Sequence, residues 1–210
     1  MTDLLVATNN PGKLDEFRRL LAGLPARVFG PSEARIELEV AEPYPSYAEN
    51  AAAKAAAFCQ ASGLLTLADD SGIEAAALGW GPGPRSARYG GPQVTDRAAL
   101  LLERVGDATD RRARMVCALA LAIPPSSDAP AAVGDAGPQV EIYSGVIEGR
   151  LARAPRGAGG FGYDPIFELA SGKTTAELPE GEKDRISHRG RAVAAAGPRL
   201  RELLGARVPQ

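Results

Sequence analysis

A chain of 210 residues, 45% hydrophobic and 24% charged, carries enough apolar material for a sizeable core and has the balance of an ordinary soluble globular protein. Its formal charge of −2 argues against broad binding to nucleic acid or an anionic membrane; no run is long enough to span a bilayer, and the N-terminus does not read as a signal peptide. His188 is the only histidine, which excludes a multi-histidine metal site, and Cys59 and Cys117 without CxxC spacing point to a reduced, cytoplasmic protein.

The apolar run LLVAT (4–8) reads as a buried strand, broken by NNPGK. Leu14, Phe17, Leu20, Leu21 and Leu24 then recur at helical spacing, with Asn10 as N-cap and Pro11 in the first turn. RIELEV (35–40) alternates and predicts a second strand, and YAENAAAKAAAFCQASG (47–63) predicts an alanine-rich helix closed by Gly63. LLTLA (64–68) predicts a strand that ends at Asp69 and Asp70. Residues 79–91 are a Gly- and Pro-rich shaped loop, 94–106 a helix, and 111–123 a strand. Residues 124–138 read as a mobile surface insertion, after which the alternation of 139–152 predicts a hairpin partner for the preceding strand. GAGGFGYDPIFEL (157–169) is a glycine loop entering a strand, and 181–196 begins a final helical region interrupted near Pro198. The mixture predicts an α/β fold with a mixed sheet, the 210 residues forming one domain.

Four stretches carry residues suited to chemistry. Thr8, Asn9, Asn10, Pro11, Gly12 and Lys13 lie between a strand and a helix N-terminus, where backbone N–H groups, the helix dipole and one ammonium suit a phosphate; a capped turn with a solvated lysine has the same pattern. The adjacent Asp69 and Asp70 diverge if they lie on a strand, and a divalent cation would relieve their charge; an Asp-Asp turn capping the next helix is the plainer reading. Glu42 is a further candidate ligand, and Glu49 either competes with it or caps its own helix. In Gly159–Pro165, Phe161 and Tyr163 offer rings to a base and Asp164 an acceptor, although two core aromatics in a hairpin would look alike. Lys183, His188 and Arg189 are donors close along the chain, and Arg85 and Arg88 share their ambiguity with any solvated basic stretch.

Taken in order, TNNPGK, YAENAAAKA, LADDSG, ALGWGPGPRSARYGG, GGFGYDPIF and TTAELPEGEKDRISHRG resemble the inosine/xanthosine triphosphate pyrophosphatases over nearly the whole chain. The resemblance implies an elongated mixed sheet with flanking helices forming two lobes around a central cleft, and a homodimer. It implies Mg²⁺-dependent hydrolysis of ITP, dITP or XTP to the monophosphate and pyrophosphate. Thr8 to Lys13 would then hold the triphosphate, and Asp70 would be the catalytic residue, sharing the metal with Glu42. Ser71 would touch substrate, Phe161, Gly162, Tyr163 and Asp164 would line the base pocket, and Lys183, His188 and Arg189 would read phosphate and the 6-oxo edge. The chain departs from the family pattern at Pro43 and Pro45, which stiffen the loop after Glu42, at Trp80 in place of a usual glycine, and at Ala76 in place of a frequent aspartate.

The expected mechanism is attack of a metal-activated water on the α-phosphorus, with Lys13 and helix N–H groups holding the leaving pyrophosphate and Asp69 turned to the other face. A donor such as Arg189 favours a C6 carbonyl over the amine of adenine. A different Mg²⁺ phosphohydrolase would not need the aromatic FGYD segment, and a non-catalytic nucleotide-binding regulator would gain nothing from Asp70 at a metal.

Overall fold

The computed structural model describes residues 2–125 and 137–205. Strand β1 (Thr2–Val6) lies between β2 (Ala26–Phe29) and β3 (Leu65–Ala75), parallel to both. Leu4, Leu5 and Val6 are fully buried, as expected of an inner parallel strand covered on both faces. The chain leaves β1 into helix α1 (Pro11–Leu20), whose cap Asn10 accepts a hydrogen bond from the Lys13 amide at 3.2 Å. Phe17 and Leu21 bury the helix's apolar side.

The second strand is β2, not the expected 35–40. Residues after β2 fold back through turn hydrogen bonds from Ala34 to Gly30 and from Ile36 to Pro31, with Arg35 in the left-handed region at φ 56°. The alternation of RIELEV reports half-buried Ile36, Leu38 and Val40 against exposed Glu37 and Glu39. Among the described residues no strand pairs with it. One-sided burial produced a period of two without a ladder.

Helix α2 (Tyr47–Ser62) follows the expected bounds, opening on Ser46 and closing on Gly63 in the left-handed conformation. Strand β3 corrects another expectation. It does not stop at Ala68 but continues through both aspartates to Ala75. The two-residue β4 (Gly81–Pro82) pairs antiparallel with its end, and α3 (Arg97–Val105) starts from Asp96, whose carboxylate accepts from the Ala99 amide at 2.9 Å. Next come β5 (Arg112–Ile123), β6 (Gln139–Leu151) and β7 (Phe167–Glu168), the last antiparallel to β6. The sheet order is β2-β1-β3-β5-β6-β7, so β5 and β6 are neighbours as the alternation predicted. With parallel and antiparallel pairs in one sheet and helices attached, the fold is mixed α/β. Apart from its ends, the stretch 124–138 lies outside the described residues.

The last helical region is α4 (Glu180–Ile186) and α5 (His188–Leu203), and it breaks at Ser187 rather than at Pro198. Ser187 is extended, and its hydroxyl accepts from the Gly190 amide at 3.0 Å, capping α5. A Cβ at residue 190 would collide with the Asp184 carbonyl, so glycine permits this tight junction. Pro198 forfeits one helical hydrogen bond, yet the buried Ala192, Val193, Ala196 and Leu200 hold the helix through it.

By contacts the chain forms two compact units. The first comprises the described residues of 1–70, 118–144 and 192–210; the second comprises those of 71–117 and 145–191. The second has its own core, in which Ile73, Leu101, Val105, Met115, Ile147, Leu151, Ile166 and Phe167 cluster. Strand β3 crosses from one unit to the other between Asp70 and Ser71.

Candidate active site

In the first unit, successive positions on β3 send Asp69 and Asp70 to different partners, as an extended strand requires. Asp69 is a buried ion-pair partner of Lys13, with Lys13 Nζ 3.1 Å from Oδ1 and 3.0 Å from Oδ2. Asp70 Oδ2 instead accepts from Asn50 Nδ2 at 2.9 Å. The opening of α1 is thus more organised than a row of unmet donors. Thr8 Oγ1 takes the Asn10 amide at 3.2 Å, Asn10 takes the Lys13 amide, and Lys13 is drawn to Asp69 rather than to solvent.

Burial pushes the Asp70 carboxyl above the ordinary aspartate range. The Asn50 hydrogen bond opposes that rise, the negative charge of Glu42 adds to it, and Lys54 and Lys13 oppose it more weakly. Lys54 Nζ reaches Glu42 Oε1 at 2.6 Å and the Asp69 carbonyl at 2.7 Å. Glu49 is occupied differently: its Oε2 receives the Ser46 hydroxyl at 2.5 Å while Ser46 caps the Glu49 amide. Its place is the helix cap. Two carboxylates that repel one another, Asp70 and Glu42, are a donor set a hard divalent cation fits, since Mg²⁺ takes one or two protein carboxylates and completes its shell with phosphate and water. Among the described residues no group of three or more His, Cys, Asp or Glu is arranged around a metal position.

Asn50 and Lys54 were not singled out from the sequence. Their signal was present: they are polar residues four apart in an otherwise alanine-rich stretch of α2, a spacing that puts both on one face.

In the second unit, Asp164 is 3% exposed and heavily engaged. Its Oδ2 accepts from Lys183 Nζ at 2.6 Å and from the Phe161 amide at 2.8 Å, and Oδ1 accepts from Thr175 Oγ1 at 2.8 Å. Lys183 Nζ and the Arg189 guanidinium carbon lie 5.2 and 5.3 Å from the centre of the Phe161 ring, within cation–π range. Arg189 also donates to Ser71 Oγ at 2.7 Å. His188 and Arg189 are both buried at the start of α5. Gly160 has φ +70°, and a Cβ there would strike the Asp164 carboxylate. Gly160→Ala is expected to destabilise by about 1–3 kcal/mol and to raise KM for nucleotide, checked by thermal melting and steady-state kinetics.

Tyr163 is tied into the second unit. Its ring packs on the second unit's core, and its hydroxyl donates to the Ser86 carbonyl at 2.8 Å. Burial pushes its phenol up to about 12. Ser86 in turn accepts from the Ile73 amide at 2.9 Å and donates to the Gly83 carbonyl at 2.6 Å. A Cβ on Gly72 would collide with Gly83 and Ser86, which explains the glycine after Asp-Asp-Ser. In PRSARYGG the buried Ser86 therefore ties the loop to β3. Tyr163→Phe should cost about 1 kcal/mol, or about 2–4 °C in Tm, and leave base selectivity unchanged in a competition assay.

The sequence matches the Ham1 family over residues 4–198. The chain belongs to the Ham1 family. It is 44% identical over 203 residues to a dITP/XTP pyrophosphatase of Symbiobacterium thermophilum, covering 96% of each chain. It is 46% identical over 208 residues to one from Ralstonia nicotianae, covering 96% of this chain and 98% of the relative. Among solved structures, a HAM1 protein from Coxiella burnetii superposes with a TM-score of 0.79 at 39% identity, covering 96% of this chain and all of that one.

Trp80 stands in the left-handed region at φ 66°, a conformation more natural to glycine. Arg114 stacks on the Trp80 ring at 4.9 Å and holds Glu74 at 2.5 Å, so the added indole has a cation partner.

Proposed function

We propose that this Ham1-family protein hydrolyses the non-standard purine nucleoside triphosphates ITP, dITP and XTP to the monophosphate and pyrophosphate, clearing deaminated purines from the nucleotide pool. The observation that carries the reading is Asp70 on β3, a buried carboxylate bonded to Asn50 and acted on by the negative charge of Glu42, a pair suited to a divalent cation.

The first unit handles the triphosphate. Asp70 and Glu42 would hold Mg²⁺, which would supply charge neutralisation at the phosphates and a more acidic water. Asp70 receives the proton of the water directed at the α-phosphorus. Lys13, exchanging Asp69 for phosphate, and the N-terminus of α1 with Thr8, Asn9, Asn10 and Gly12 stabilise the departing pyrophosphate.

The second unit reads the base. Phe161 provides the stacking face, and Asp164 holds the loop of Gly162 in shape through Lys183 and Thr175. Arg189, beside His188, donates to the C6 carbonyl; adenine's amine would face a buried donor and leave it unmet. Two buried free cysteines suit a reducing cytoplasm. The homodimer is what family resemblance implies.

A panel of ITP, dITP, XTP, GTP and ATP tests the proposal. The first three should give kcat/KM about 10²-fold or more above ATP, with GTP behind them. Equal use of ATP and ITP would remove Arg189 from the role of base reader.

A further inference from the structure

Asn50 is completely buried and spends its whole amide on three partners. Its Oδ1 accepts from the Tyr44 amide at 3.0 Å, and its Nδ2 donates to the Tyr44 carbonyl at 3.1 Å and to Asp70 Oδ2 at 2.9 Å. One side chain thus grips both backbone groups of a residue two positions beyond Glu42 and, at the same time, the carboxylate of Asp70. Tyr44 stands between Pro43 and Pro45, so its amide is the only backbone donor in that tripeptide. The prolines restrict the loop, and Asn50 fixes it at its centre.

We propose that Asn50 is a positioning residue which, together with the prolines flanking Tyr44, sets Glu42 in register with Asp70 for a divalent cation before that cation arrives. The inference rests on the reading of Asp70 and Glu42 as the metal ligands. The two prolines then act as a device: chain entropy is lost when the loop folds rather than when the metal binds.

Direct titration of the full chain with Mn²⁺, followed by electron paramagnetic resonance without nucleotide, tests this independently of turnover. Asn50→Ala should weaken Mn²⁺ binding by about 10–100-fold, the range for loss of a group that orients a ligand. Pro43→Ala/Pro45→Ala, at two exposed positions, should keep the wild-type fold and weaken binding by about 4–25-fold, taking about 2–5-fold per proline. Glu42→Gln serves as the reference. If it weakens Mn²⁺ binding while the proline variant binds as wild type, preorganisation is overturned whatever Asn50→Ala does. If Glu42→Gln itself binds as wild type, the ligand assignment falls and the inference falls with it. Should Asn50→Ala fail to fold, the proline variant decides.

Discussion

Asp70→Asn is expected to lower kcat by about 10²–10⁴-fold, the range for loss of a positioned acid–base group, while making the metal-free protein more resistant to heat. The two effects have one cause. Burial raises the Asp70 carboxyl above its unfolded value, so the folded state disfavours the ionised form. For such a group the native state binds the proton more tightly than the unfolded chain. Its unfavourable contribution is therefore absent at pH below the unfolded carboxyl value, grows as pH rises through the interval up to the folded value, and is complete above it. An asparagine escapes it, and its Oδ1 can still accept from Asn50 Nδ2. Thermal melts of the metal-free proteins should show the variant's advantage at neutral pH and its disappearance in acid. A variant less stable than wild type at pH 7, or fully active, contradicts the role assigned to Asp70.

Asp164→Ala should be the most damaging substitution for stability. Asp164 and Lys183 form an ion pair whose side chains are 5% and 7% exposed, and the same carboxylate also meets the Phe161 amide and Thr175. Removing it strands a buried ammonium, which typically costs about 3–5 kcal/mol, or about 6–20 °C in Tm for a chain of this size. Asp164→Ala/Lys183→Met should recover much of that loss, because the stranded charge is gone, yet should not restore nucleotide binding, because the Phe161 loop keeps no anchor. Melting curves of the single and double variants check the first claim, and KM for ITP the second. Equal Tm values in the two variants would show that the loop contacts, not the charge, carry the stability.

Much of the chemistry was legible because it is local. Asn10 and Gly63 cap helices by the identity of one side chain or one backbone conformation, and these caps hold in the structure. The strand run before Asp69 was equally readable; its continuation through two carboxylates was not. That continuation depends on Lys13 and Asn50, which are 56 and 20 residues away and neutralise or bind each charge. RIELEV misled because alternation records which side of a segment is covered, whereas a strand also needs a partner. Pro198 misled because the buried face of α5 outweighs one missing hydrogen bond. The contact of Tyr163 with the core and its bond to Ser86 are set by tertiary packing, which the motif alone does not show. Glu42 and Glu49 were indistinguishable as bare residues; in the structure Glu49 takes the Ser46 hydroxyl, whereas Glu42 takes Lys54 and its charge acts on Asp70.

The position of bond cleavage is the most direct test of the central claim. With dITP and Mg²⁺ in H₂¹⁸O, a single turnover should yield unlabelled pyrophosphate and a deoxynucleoside monophosphate carrying one ¹⁸O on its phosphate. That result places water on the α-phosphorus with pyrophosphate as the leaving group. Orthophosphate as the first product, or label in the pyrophosphate, would contradict the account and reassign the Asp70 cluster to a different phosphoryl centre.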